Sequence, residues 1–83
     1  MKRWLALEKM TGDRQHVGEW AVLQGPRGQS ASIICPLCGR LAALLDHSID
    51  RMGYVTPSVR CPYDDCSWHE NVQLIGWGDA IQE

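Results

Sequence analysis

The 83-residue chain contains no phenylalanine, no long apolar run and no block of like charges. None of its apolar stretches approaches the ~20 residues that cross a bilayer, which argues against a transmembrane helix. Lys2 and Arg3 precede only the short segment WLAL, which ends at Glu8. A signal-peptide core needs roughly 7–15 apolar residues. We therefore expect a cytoplasmic protein with no membrane partner.

Internal repeats and low-complexity segments are also absent, and the composition, 45% hydrophobic and 22% charged, is that of a folded chain. A chain of this length forms a single small domain, whose hydrophobic core supplies only about 3–5 kcal/mol. We therefore expect an additional constraint on the fold. The sequence offers four cysteines, which in the cytoplasm are more often metal ligands than disulfides.

The N-terminal part predicts β structure. EWAVLQ (19–24) and SASIIC (30–35) have β-like composition, and the intervening GPRGQ indicates the tight turn of a hairpin. Residues 1–11 fit a short helix or an edge strand equally well. We expect residues 1–34 to be an extension that precedes a metal-binding unit.

The remainder predicts a β-ribbon. Leu41, Ala43, Leu45 and Ile49 alternate, which favours a strand, although alanine and leucine also suit a helix. DRMG (50–53) indicates the turn of a second hairpin, which further favours the strand. Pro57 is expected at an edge or a bulge. In the last segment, Trp68, Val72 and Leu74 are predicted on one face and His69, Asn71 and Gln73 on the other. The expected fold is mainly β, a small zinc ribbon over residues 35–77 with a tail over 78–83.

The four cysteines are the candidate metal ligands. Their spacing is C-x2-C, a gap of 22 residues, then C-x4-C. Zinc takes four ligands at tetrahedral corners, about 2.3 Å from each sulfur, and each close pair can supply two corners from one turn. Pro36 stiffens the first turn, and Gly39 permits the left-handed conformation that turns backbone N–H groups toward sulfur. The predicted ligands of one structural Zn²⁺ are Cys35, Cys38, Cys61 and Cys66.

Other kinds of site are less consistent with this pattern. A redox pair needs a thioredoxin-like context, which is absent, and an iron centre would use the same four thiolates. A catalytic zinc keeps an open position for water, whereas four cysteines fill the shell. We therefore expect no enzymatic activity and no small-molecule substrate. His69 is interpreted as a neighbour of the site, with replacement of Cys66 as fourth ligand left open.

The cysteine region resembles the Ogr/Delta type of zinc finger, over residues 35–72. That family comprises small phage and prophage activators of late transcription, which bind zinc and act on DNA and RNA polymerase. The segment between the cysteine pairs is more apolar here than in that family. The run from Gly53 to Trp77 is also similar to uncharacterised zinc-ribbon proteins of phages and bacteria. The positions that match Ogr/Delta are Cys35, Pro36, Leu37, Cys38, Cys61, Cys66 and Trp68.

The net charge of the chain bears on which class of partner it binds. The formal net charge is −2, and a zinc ion bound by four thiolates would bring it to about −4. Nucleic-acid binding relies on clustered basic residues. Candidate contacts for a nucleic acid or another partner are Arg27, Arg40, Arg51, Arg60 and Trp77, with Trp77 expected to be the most exposed tryptophan. We expect a non-catalytic regulator or adaptor that binds a protein, such as a host polymerase or a nuclease complex. The alternative is a transcription regulator that binds DNA or single-stranded nucleic acid.

Overall fold

A computed structural model describes residues 3–26 and 28–80, which form the mainly β fold expected from the sequence. One short helix, α1, follows the last strand. The elements in chain order are β1 Leu5–Lys9, β2 Glu19–Gly25, β3 Gly28–Ile34, β4 Leu41–Ala43, β5 Ser48–Ile49, β6 Val55–Thr56, β7 Val59–Arg60, β8 His69–Glu70, β9 Val72–Leu74 and α1 Trp77–Ala80. In this part of the chain no helix is long and apolar enough to cross a membrane.

Five strands form one sheet, in the order β4-β3-β2-β1-β9. β2 and β3 are antiparallel, from Trp20 opposite Ile33 to Gly25 opposite Gly28. The predicted first hairpin is therefore confirmed. β3 continues this pairing with β4, so the segment before the first cysteine pair and the segment after it lie in the same sheet.

β1 occupies the interior of the sheet and is parallel to both of its neighbours, β2 and β9. Of the two expectations for this segment, the helix is wrong, and the strand is not at an edge. The Leu5 N–H donates to the Asn71 carbonyl oxygen (2.8 Å) and the Ile75 N–H donates to the Leu7 carbonyl oxygen (2.9 Å). These bonds tie the N-terminal strand to the last one and bury Leu7.

The segment after the first cysteine pair is not one long strand. β4 ends at Ala43, and a turn separates it from β5. The alternating residues Leu41, Ala43 and Leu45 are exposed, whereas Ala42 and Leu44 are buried. The apolar alternation was therefore correct in period but shifted by one residue, which in a strand reverses the two faces.

The predicted second hairpin is formed by β5 and β6. The Asp50 carboxylate accepts hydrogen bonds from the N–H groups of Met52 (2.9 Å) and Tyr54 (3.0 Å), which closes the turn. The peptide bond between Thr56 and Pro57 is cis. After it, β7 pairs with β8.

Gly53 anchors this hairpin to the sheet. Its carbonyl oxygen accepts the Leu74 N–H (2.8 Å), and its φ is +90°. A Cβ placed there would lie 2.0 Å from the Leu74 carbonyl oxygen. Only glycine permits so close an approach together with a positive φ.

The core is built from residues of both the sheet and the cysteine-bearing segments. Trp20 is fully buried, and its indole N–H donates to the Ile75 carbonyl oxygen (2.9 Å). The expectation that Trp77 is exposed is wrong, because only 3% of it is accessible. Gly76, with φ +84°, precedes α1, and the Trp77 ring packs 5.5 Å from that of Trp20. Trp77 is therefore a core residue.

Candidate metal centre

The four cysteine sulfurs meet in one cluster, all within 4.8 Å of one another. The Sγ atoms of Cys35 and Cys66 are 3.6 Å apart, and those of Cys38 and Cys61 are 3.7 Å apart. A tetrahedron with metal–sulfur bonds of about 2.3 Å has edges of roughly 3.8 Å, whereas a disulfide bond is about 2.05 Å long. The cluster therefore has the dimensions of a metal site, and its cysteines are free.

The first cysteine pair forms a tight turn between β3 and β4. The Gly39 N–H donates to the Cys35 carbonyl oxygen (2.8 Å), and the Cys35 N–H donates to the Arg40 carbonyl oxygen (2.9 Å). Gly39 has a φ of +77°, as the sequence predicted. The turn directs the Arg40 N–H to the Cys38 sulfur. This hydrogen bond is the main reason that the pKa of Cys38 is lowered to about 6.

The second pair occupies the loop between β7 and β8. The Cys61 N–H donates to the Trp68 carbonyl oxygen and the Cys66 N–H to the Tyr63 carbonyl oxygen, both at 3.0 Å. Two residues after each cysteine, a backbone N–H points back to sulfur, Tyr63 to Cys61 and Trp68 to Cys66. Cys38 and Arg40 show the same relation. Backbone N–H groups aimed at sulfur stabilise thiolates.

Burial and the closeness of the four sulfurs determine the pKa values of the second cysteine pair. Burial is the main cause that raises the pKa of Cys61. At Cys66 the Trp68 N–H lowers the pKa, but burial and the other three sulfurs outweigh it and raise the pKa to about 12. Four adjacent thiolates repel one another unless a cation lies among them. A divalent metal would therefore bind with release of protons.

Arg40 links the two cysteine loops from outside. Its guanidinium forms an ion pair with the Asp65 carboxylate and lies 4.1 Å from the centre of the Tyr63 ring. The hydrogen bond that the Arg40 guanidinium donates to the Asp65 carboxylate lowers the pKa of Asp65 and raises the pKa of Arg40. Arg40 also donates to the Cys38 sulfur. No local pattern in the sequence indicates this link, because Arg40 and Asp65 are 25 residues apart.

His69 lies outside the sulfur cluster. It is exposed on β8, opposite Arg60, and its Nε2 shares a hydrogen bond with the Ser58 hydroxyl. Cys66, which His69 was considered to replace, is one of the four clustered sulfurs.

The other candidate contacts are dispersed. Arg51 lies in the β5–β6 turn and Arg60 on β7; both are exposed, and neither forms an ion pair with a described residue. Arg40 is engaged with Asp65, and Trp77 is buried. The expectation for Arg27 lies outside the described residues.

Three large side chains in or next to the cysteine turns are exposed, which was not anticipated from the sequence. Leu37, at the tip of the first cysteine turn, is 64% exposed; Leu41 is 55% and Tyr63 38% exposed. The Tyr63 hydroxyl lies 3.5 Å from the Leu41 carbonyl oxygen. We call Leu37, Leu41 and Tyr63 the knuckle patch. The sequence signal for this patch was the presence of large apolar side chains in turns, where burial is difficult.

Searches with this chain find no matching family model, curated protein or solved structure. The chemistry of the site therefore rests on its own donors. Four cysteine sulfurs within 4.8 Å of one another fit Zn²⁺, and the same set fits iron.

Proposed function

We propose that this chain is a small, non-catalytic zinc-binding adaptor or regulator, whose single Zn²⁺ holds the surface that binds a partner. The observation that carries this proposal is the closed cluster of four cysteine sulfurs. Cys35 and Cys61 are buried within the core. A tetrahedral ion bound by all four would have no open position for a water or a substrate.

The surroundings of the cluster support a structural role. Arg40 and the backbone N–H groups of the two loops offset negative charge on sulfur. The nearest histidine in sequence, His69, is hydrogen-bonded to Ser58 and lies outside the cluster. A zinc ion in this site would stabilise the fold and position the two loops relative to each other.

The knuckle patch favours a protein as the partner. Exposed apolar residues grouped on a small domain commonly mark a binding surface, and here both cysteine loops contribute to it. The chain is acidic overall. A partner such as a host polymerase or nuclease complex, bound by a phage-type regulator, is consistent with both features.

Nucleic-acid binding of the Ogr/Delta kind is the second candidate. It is favoured by Arg51 and Arg60, which are exposed and form no ion pair with the described residues. It is disfavoured by the net charge, and by Asp65, which engages Arg40. A salt titration of DNA binding separates the candidates: phosphate contacts require a steep loss of affinity as salt rises.

The metal is tested first. Elemental analysis of freshly purified protein should find one zinc per chain, and an optical spectrum should lack the bands of an iron–thiolate centre. The His69→Ala variant should retain its zinc, whereas Cys66→Ala should lose it. Protein that contains neither zinc nor iron would contradict the proposal.

The partner is tested with the zinc-loaded chain as bait. A host protein identified by mass spectrometry should bind again when both proteins are pure. Binding should be lost in Leu37→Asp and kept in Val17→Asp, because Val17 is similarly exposed (54%) but lies in the β1–β2 connection. Equal binding by both variants would contradict a role for the knuckle patch.

A further inference from the structure

The outer edge of β4 carries backbone groups directed away from the sheet. Among the described strands, β4 pairs only with β3. Two hydrogen bonds lie just beyond the ends of β4: the Cys35 N–H donates to Arg40, and the Leu44 N–H donates to Ala31. Arg40 and Leu44 are therefore at hydrogen-bonded positions. Ala42, midway between them and opposite Ile33, is at the next such position. Since hydrogen-bonded and non-hydrogen-bonded pairs alternate in antiparallel strands, the N–H and C=O groups of Leu41 and Ala43 point outward.

These outward groups are almost free of partners. The Tyr63 hydroxyl approaches the Leu41 carbonyl oxygen at 3.5 Å, the outer limit of a hydrogen bond. No hydrogen bond from residues 3–26 or 28–80 reaches the Leu41 N–H or either backbone group of Ala43. The outer edge of β4 thus presents two N–H donors and two carbonyl acceptors, those of Leu41 and Ala43.

The opposite edge of the sheet is protected, and β4 is not. At β9 the Leu74 N–H donates to Gly53, and Gln73 forms a bridge with Tyr54. Open edges are usually protected by a charge, a proline or a bulge. β4 reads LAA, and both Leu41 and Ala43 are exposed. An uncharged open edge is a template for another strand.

We propose that two copies of this chain associate through β4, antiparallel to each other, about a two-fold axis beside Ala42. In that arrangement Leu41 of each copy faces Ala43 of the other. Both are hydrogen-bonded positions, so the two pairs exchange four N–H···O=C bonds and use all the outward groups of both strands. The two five-stranded sheets become one continuous sheet.

The side chains suit a second copy of the same chain. Leu41 of one copy would lie beside Ala43 of the other on the exposed face, while the two Ala42 side chains would meet on the core face. No charge opposes its own equivalent within the paired strands, and a two-fold axis makes a contact self-complementary. The Tyr63 hydroxyl would release the Leu41 carbonyl oxygen. Leu41 also belongs to the knuckle patch, so a second copy at β4 and the partner proposed above would compete for this residue.

Sedimentation velocity on the metal-loaded protein tests the association, from low micromolar to several hundred micromolar. We expect a monomer–dimer equilibrium. Leu41→Lys should raise the dissociation constant at least about tenfold, because it places like charges on the paired edge. Val17→Lys makes the same exchange of an exposed apolar residue for a charge, away from β4, and should leave the equilibrium unchanged.

Amide exchange locates the contact. Protection of the Leu41 and Ala43 amides should rise with protein concentration, whereas the Ala42 amide, which faces β3, should be protected at every concentration. Ala43→Pro removes only an outward N–H and should weaken the dimer while β2–β3 amides stay protected. A chain that is monomeric throughout, or a dimer equally stable in Leu41→Lys and Val17→Lys, would overturn the proposal.

Discussion

Two regions of this molecule are built in different ways. The sheet region, β1–β4 and β9, contains the seven-residue strands β2 and β3. The cysteine region, residues 35–40 and 48–70, contains four strands of only two residues each. Such short pairs are not stable alone in water. From this comparison we predict that regular backbone pairing holds the first region, whereas the order of the second depends on a metal ion at the sulfur cluster.

Both regions nevertheless share one core. Val55, Val59 and Trp68 of the cysteine region are buried with Leu7, Trp20 and Ile33 of the sheet. Loss of order at the cysteines should therefore also expose apolar surface of the sheet and weaken it.

Metal removal should have the largest effect. After zinc is chelated under reducing conditions, we expect the amides of β5–β8 to lose protection, because repulsion among the sulfurs is no longer offset. The β2–β3 amides should keep measurable protection, with a lower midpoint of thermal unfolding. Hydrogen exchange with and without chelator measures both regions at once, and readdition of zinc is the control. Unchanged protection of β7 and β8 would contradict the comparison.

The sheet hairpin and the clustering of the four cysteines were the parts most readily predicted from the sequence. EWAVLQ and SASIIC both have β-like composition, and GPRGQ indicates the turn between them, so both signals are local. The cysteine spacing was equally informative, because two close pairs supply the corners of one tetrahedron. Gly39 adopts the positive φ inferred from its place after Cys38.

The remaining features depend on contacts distant in sequence. The parallel pairing of Leu5 with Val72 cannot be inferred from either segment alone. In LAALL (41–45) every residue is apolar, so the sequence does not show which alternate residues are buried. The backbone hydrogen bonds of the first cysteine turn set the register in which Ala42 is buried. Trp77 was expected to be the most exposed tryptophan because it lies near the C-terminus, but Gly76 precedes a short helix in which Trp77 packs against Trp20.

Gly53→Ala should have the next largest effect, because Gly53 lies where the cysteine region is hydrogen-bonded to Leu74 of the sheet. The added methyl would lie 2.0 Å from the Leu74 carbonyl oxygen, at a φ of +90°. We expect a loss of about 3 kcal/mol or more in the free energy of unfolding, measured by urea denaturation.

Gly18→Ala is the matched control for this variant. Gly18 has nearly the same φ, +89°, with no atom within 4 Å of the added methyl. It should lose only the strain of the positive φ, about 1 kcal/mol. Equal losses at the two positions would show that Gly53 is not a close junction.

A pair of identical substitutions compares the regions directly. Val55 in the cysteine region and Val72 in the sheet are both fully buried. In the zinc-loaded protein, Val55→Ala and Val72→Ala should each cost about 2 kcal/mol, from lost burial and the remaining cavity. In the chelated protein, Val72→Ala should remain costly, whereas Val55→Ala should have little effect because its surroundings are already disordered. Equal costs in both states would mean that the two regions unfold as one unit regardless of metal.

The smallest effect is expected for Arg40→Lys, which alters only the link between the cysteine loops. Lysine keeps the charge but cannot reproduce a planar group that faces both Asp65 and the Tyr63 ring. Residues that support metal ligands from outside typically affect metal affinity by 10–100-fold, and for this exposed link we expect about tenfold, measured by competition with a chelator. Arg60→Lys, also exposed but outside the link, should leave the affinity unchanged. If both variants bind zinc like the wild type, the order of the cysteine region comes from the sulfurs and their backbone N–H groups, without a contribution from the arginine.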